Sequence, residues 1–137
     1  MDKSLLISCD NAHALHPNFM DKHDAGHLPS INGGPVIKTN VKQRYATNSV
    51  TSSRFKQLCE QANVPVQQFV SRADMGCGST IGPISSSRLG VATIDVGIPQ
   101  LAMHSCREFT GSKDSLRLAL VLGAFFSSAE PMGCDWV

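Results

Sequence analysis

Short apolar runs alternating with longer amphipathic segments constrain this chain most. Leu5-Leu6-Ile7, Pro35-Val36-Ile37-Lys38, Val66 to Ser71 and Val91 to Val96 are each the length of a strand. Between and after them, Thr51 to Ala62 places Phe55, Leu58, Cys59 and Ala62 at i, i+3, i+4 and i+7, one stripe of a helix. Thr51 or Ser52 can cap its first amides, and Asn63 followed by Pro65 stops it. A short helix is expected from about Ile81 to Arg88, ended by Gly90. Ser112 to Ser127 reads as a closing helix, apolar on most faces and therefore expected to lie buried between layers. The order strand, loop, strand, helix, strand, helix, strand, helix predicts an α/β fold, a layered sheet flanked by helices. At 137 residues it makes one domain.

Strand-to-loop junctions are where such sheets gather ligands. The first is Cys9-Asp10-Asn11-Ala12-His13-Ala14-Leu15-His16, a D-x-x-H-x-x-H pattern at the end of a buried strand. A carboxylate and two imidazoles among small and apolar neighbours suit either metal ligation or proton transfer. A capping aspartate with two surface histidines is the plainer alternative. The loops near Asp10, Asp74 and Asp95 are expected along one edge of the sheet. Residues 19–34, with Gly26, Pro29 and Gly33-Gly34, are loop chemistry.

Lys38 ends an apolar strand, where a lysine is either solvated or a pocket anchor for a substrate carboxylate. Tyr45, the only tyrosine, can donate to an anionic oxygen or simply cap a core. Residues 76–83 resemble a phosphate-cradling loop but lack the lysine of a Walker loop and the G-x-G-x-x-G spacing, so tight backbone packing beside a site is the expectation. His104 follows the 91–96 strand and is a ligand or a satisfied core side chain.

Composition removes several function classes. A net charge of +1 with scattered Lys and Arg gives no nucleic-acid footprint. The longest apolar run, Leu118 to Phe126, is about half of the roughly 20 residues a membrane span needs, and the first residues do not form a signal peptide. A cytoplasmic protein is the expectation. Five cysteines without C-x-x-C spacing read as free thiols serving as small apolar residues in a reducing compartment.

Five motifs in register, Asp-x-Ala-His-Ala-x-His-Pro-Asn, Gly-Pro-Val-Ile-Lys, Lys-Gln-Arg-Tyr-Ala, Gly-Ser-Thr-Ile-Gly-Pro and Gln-Leu-Ala-Met-His-Ser, resemble the C-terminal portion of the aspartyl aminopeptidase family of dinuclear-zinc exopeptidases. The likeness runs from about Leu5 to Ser128. It implies removal of N-terminal Asp or Glu from peptides by a water shared between two zinc ions. It implies Asp10 as a ligand of one zinc and His104 as a ligand of the other. His13, Lys38 and Tyr45 become substrate-binding positions, and His16 becomes a supporting or oxyanion-side group. Manganese or cobalt would suit the same donors. A homo-oligomer is implied for the complete enzyme.

The family's other metal ligands, its general-base glutamate and its oligomerisation domain lie upstream of the matched region. Residues 1–137 are therefore expected to be a C-terminal segment of the catalytic domain, inactive alone, weak in metal binding, and marginally stable or exposing an apolar face. A non-catalytic binding or assembly module is the alternative, and an anion-binding domain built on residues 76–83 a third. Residues 130–137 fit the family poorly.

Overall fold

The computed structural model describes residues 3–128, so Cys134 and the divergent tail lie outside the described residues. The strands are β1 (Leu5–Cys9), β2 (Ala12–His13), β3 (Val36–Thr39), β4 (Gln67–Val70), β5 (Ala92–Gly97), β6 (Pro99–Leu101) and β7 (Phe109–Thr110). The helices are α1 (Ser49–Gln61), α2 (Gly82–Leu89) and α3 (Asp114–Ser127), with one 3-10 turn at Met20–Lys22. The expected α/β architecture is present. A four-stranded sheet has the order β1-β5-β3-β4, and a three-stranded sheet has the order β2-β6-β7.

β1 runs parallel to β5 with Ile7 opposite Ile94, and β3 runs antiparallel to β5 with Ile37 opposite Val96. Side chains alternate across a strand, so Ile37, Ile94 and Val96 share one face. There they meet Phe55 and Leu58 of α1 and Val121 of α3 in the main core. Burying each of these large apolar side chains is worth about 1.5–3 kcal/mol. The same alternation sends Val36 and Lys38 to the opposite face. Val36 joins Ala12, Tyr45 and Phe69 there in a second, smaller cluster.

Asn48, rather than Thr51 or Ser52, caps α1. Its side chain accepts from the Val50 and Thr51 amides, and the Thr51 hydroxyl accepts in return from the Asn48 amide. Thr51 thus belongs to the cap as its third helical residue, which shifts the helix start two residues upstream of the expectation. Asn63 at φ 51 turns the chain out, as expected. Gly90 ends α2 in the left-handed region.

α3 is not buried between layers. Only one side of it meets the core, while Leu116 is 65% exposed and Phe126 80% exposed. An apolar face signals that something should cover it but not that the cover lies within the same 137 residues. No helix among the described residues is long and apolar enough to cross a membrane.

Candidate active site

β1 and β5 continue, after a break, as the parallel pair β2 and β6. Asp10 sits in that break. Its amide donates to Val96 O at 2.9 Å, and the Ala12 amide resumes the ladder on Ile98 O at 3.0 Å. Gly97 faces it, where a Cβ would collide with the Asp10 carbonyl, so the close approach requires glycine. The interruption turns the Asp10 carboxylate out of the sheet into a cleft of about 1260 Å³.

Asp10, His13, His16, Lys38, Tyr45 and His104 all line this one cleft. Residues separated by as many as 94 positions are thus brought to one surface by the two parallel strand pairs. The loops expected along one edge near Asp10, Asp74 and Asp95 do border the cleft, through Asp10, Arg72, Met75 and Gln100, although Asp74 and Asp95 themselves do not. Asp74 is exposed and ion-paired to Arg72 at 2.5 Å, and it stands outside the cleft lining. Asp95 lies within β5 and is fully buried.

Lys38 is neither solvated nor free. It is 2% exposed, and its ammonium donates to Asp10 Oδ2 at 3.1 Å and to Asn11 O at 3.3 Å. It also lies 5.1 Å from the centre of the Tyr45 ring. Two of its three protons are spent on the Asp10 segment, which leaves one for a ligand. Tyr45 is buried, and its phenol accepts from the Cys77 thiol at 3.4 Å. Burial first, then that bond and the nearby Cys77 and Asp10 charges, hold its pKa well above 10. The phenol is therefore protonated throughout the physiological range and can donate.

His13 is paired in register with Gln100. Desolvation in the cleft lowers its pKa below 6.5, with His23, His104 and Lys38 pushing in the same direction and Asp10 opposing them. Neutral imidazole is the resting form at neutral pH. The sign follows from linkage: the unfolded chain takes up this proton first, so the His13 contribution is intact above pH 6.5 and is lost as the pH falls through the lower folded value. His13→Gln should flatten the stability profile below that pH in urea unfolding series. An unchanged slope would remove His13 as its source.

His16 accepts from the Asn18 amide at 3.1 Å and stacks obliquely on Phe19. His104 adopts φ 67, in the left-handed region, and its amide donates to Glu108 Oε1 at 2.7 Å. Carboxylate oxygen and imidazole nitrogen are the right donors for zinc. They are too few: among the described residues, no three His, Cys, Asp or Glu side chains gather around one point. The donors of the described residues alone do not fit a zinc ion.

The structure adds groups that sequence reasoning missed. His23 lines the cleft with its Nδ1 buried and unpartnered, its ring edge-on to Phe69. Asn11 Nδ2 donates to Gln100 Oε1 at 2.5 Å across the β2–β6 pair. Neither carries a spacing signal. Tight packing in the glycine-rich loop holds at Gly82, where a Cβ would strike the Asp95 carboxylate, and fails at Gly76 and Gly78, which face open space. Of the described cysteines, none in a disulfide, Cys59 is buried in the core with its thiol pKa pushed up to about 12 by burial. Cys9 and Cys106 are exposed, so the small-apolar role does not extend to them.

The fold is one shared with solved structures of M18 aminopeptidases, of which it matches a portion. Ape4, solved by cryo-electron microscopy in complex with Nbr1, superposes with a TM-score of 0.90 at 47% identity, over 92% of this chain and 24% of that one. The S. cerevisiae mApe1 dodecamer superposes with a TM-score of 0.81 at 34% identity, over 91% of this chain and 27% of that one. The family described as aminopeptidase I zinc metalloprotease, M18, matches residues 1–126, and the chain belongs to it. A probable M18 family aminopeptidase 2 of Pseudomonas aeruginosa is 61% identical over 130 residues, 95% of this chain. The chain spans about 30% of the length of that relative.

Proposed function

We propose that the cleft is one wall of a metallo-aminopeptidase site that releases N-terminal Asp or Glu from peptides. The convergence of all six sequence-derived residues on one cleft carries this reading. Asp10 and His104 would each contribute one ligand to a different zinc ion, the remaining ligands coming from parts of a longer chain. A zinc pair supplies an activated water when bound. Lys38, which lines the cleft and keeps one proton beyond those given to Asp10 and Asn11, would meet the acidic side chain of the substrate. His13, neutral, would contact the substrate, and the protonated Tyr45 phenol would donate to a substrate oxygen. His16 would act as a supporting or oxyanion-side group.

In this reading residues 1–137 are the C-terminal segment of a catalytic domain in a cytoplasmic enzyme whose complete form is a homo-oligomer, and the segment alone is inactive. The uncovered face of α3 is consistent with further chain packing there. It also favours a second reading, in which the chain is an assembly module docking on full-length subunits. Zinc titration and hydrolysis of an N-terminal Asp anilide test the first. The chain alone is expected to give neither stoichiometric zinc nor turnover, and co-expression with the rest of the Pseudomonas relative is expected to give both. Tight zinc and turnover by the chain alone would overturn the segment reading, and docking without restored turnover would favour the module.

A further inference from the structure

Asp95 takes no part in the chemistry proposed above, yet its carboxylate is completely buried and bound twice. Oδ2 accepts from the Ala46 amide at 2.6 Å, and Oδ1 accepts from the Thr80 hydroxyl at 2.6 Å. The β3–β5 ladder stops at Ile37 opposite Val96, one residue short of Asp95. The Asp95 amide instead donates to Thr47 Oγ1 at 3.0 Å, and that hydroxyl donates back to Asp95 O at 3.4 Å. Strand alternation explains the aim: Ile94 and Val96 face the main core, so Asp95 faces the cleft side.

Both segments it holds border the cleft. Tyr45 immediately precedes Ala46, and Thr80 ends the loop that carries Cys77, whose thiol donates to the Tyr45 phenol. Ser79 Oγ donates to Arg44 O at 3.2 Å and ties the two segments a second time. Gly82 leaves room for the carboxylate, since a Cβ there would strike it. We infer that Asp95 is a positioning residue, a buried clasp that holds the 45–47 segment and the 76–80 loop on β5 and so fixes Tyr45 beside Lys38. Its bearing on peptide cleavage rests on the aminopeptidase reading; the clasp itself does not.

Asp114 provides the control. It is equally buried and accepts from the Asn32 and Gly34 amides at 2.8 and 3.0 Å, but it holds a loop that does not line the cleft. In the isotope-labelled 137-residue chain, Asp95→Ala should speed amide exchange at Ala46 by at least about tenfold. It should also abolish nuclear Overhauser contacts between the Tyr45 ring and the Lys38 side chain. Asp95→Asn should restore those contacts, because the carboxamide oxygen can take the Ala46 amide while its NH2 donates to a Thr80 hydroxyl that has turned round. Asp114→Ala should leave them in place. Tyr45–Lys38 contacts that survive in folded Asp95→Ala, or vanish equally in Asp114→Ala, would overturn the inference.

Should Asp95→Ala fail to fold, Thr80→Val releases only the 76–80 loop. It should speed exchange there and break the Cys77–Tyr45 contact, and an unchanged contact would equally overturn the clasp. No turnover enters these readouts, so failure of the clasp and failure of the aminopeptidase reading are separate results.

Discussion

Asp10→Ala is expected to lower the unfolding free energy by about 2–3 kcal/mol, whereas Lys38→Met should change it by less than about 1 kcal/mol. The asymmetry comes from burial. The Asp10 side chain is 56% exposed and Lys38 2% exposed. Removing the carboxylate strands an ammonium in the interior with one carbonyl and the face of Tyr45 for company. Breaking a fully buried pair in this way costs about 3–5 kcal/mol, and the half-open position of Asp10 lets water relieve part of it. Removing the lysine leaves a carboxylate that can hydrate, and methionine refills most of the space. Urea unfolding followed by circular dichroism measures both. Equal losses, or a larger loss for Lys38→Met, would show that the pair is not held by the burial of its cation.

That pair also marks how far the sequence could be read. Leu5 to Cys9 and Val91 to Val96 were legible as strands because each holds a short apolar run bounded by polar residues, although only β5 is buried on both faces. The α1 stripe was legible because Phe55, Leu58 and Cys59 repeat at helical spacing. β2, β6 and β7 were not, since strands of two or three residues are too short to show a period. The direction of Lys38 needed only the alternation Val36, Ile37, Lys38, once Ile37 was known to face the core. Its partner needed the break at Gly97, which depends on packing between strands nearly ninety residues apart. Asp95 was placed correctly inside a strand, but its bonds were hidden for a related reason: the donors that satisfy its carboxylate, Ala46 and Thr80, come from distant loops. Of the candidate cleft, the sequence pointed to six lining residues, while His23, Asn11 and the bonds among them were not legible.

Because Lys38→Met should leave the fold standing, the same variant can be read for function. With residues 5–128 grafted in place of the matching segment of the Pseudomonas relative, it is expected to lower kcat/KM for an N-terminal Asp anilide by about 30- to 160-fold. The corresponding Ala anilide should change only a few-fold. The figure follows from losing one charge-assisted bond to the substrate carboxylate, about 2–3 kcal/mol at 1.36 kcal/mol per decade. A different outcome is physically well motivated, because two of the three Lys38 protons are already given to the Asp10 segment. If Lys38 serves chiefly to orient Asp10, both anilides should fall together, for the damage would then lie in a group every substrate uses. Selective loss on the acidic substrate places the third proton on the substrate. A parallel loss assigns Lys38 to Asp10 and removes it from specificity. Lys38→Arg sharpens the distinction. A planar guanidinium cannot occupy the narrow space beneath Tyr45 as an ammonium does, so retention of charge alone should not restore the preference.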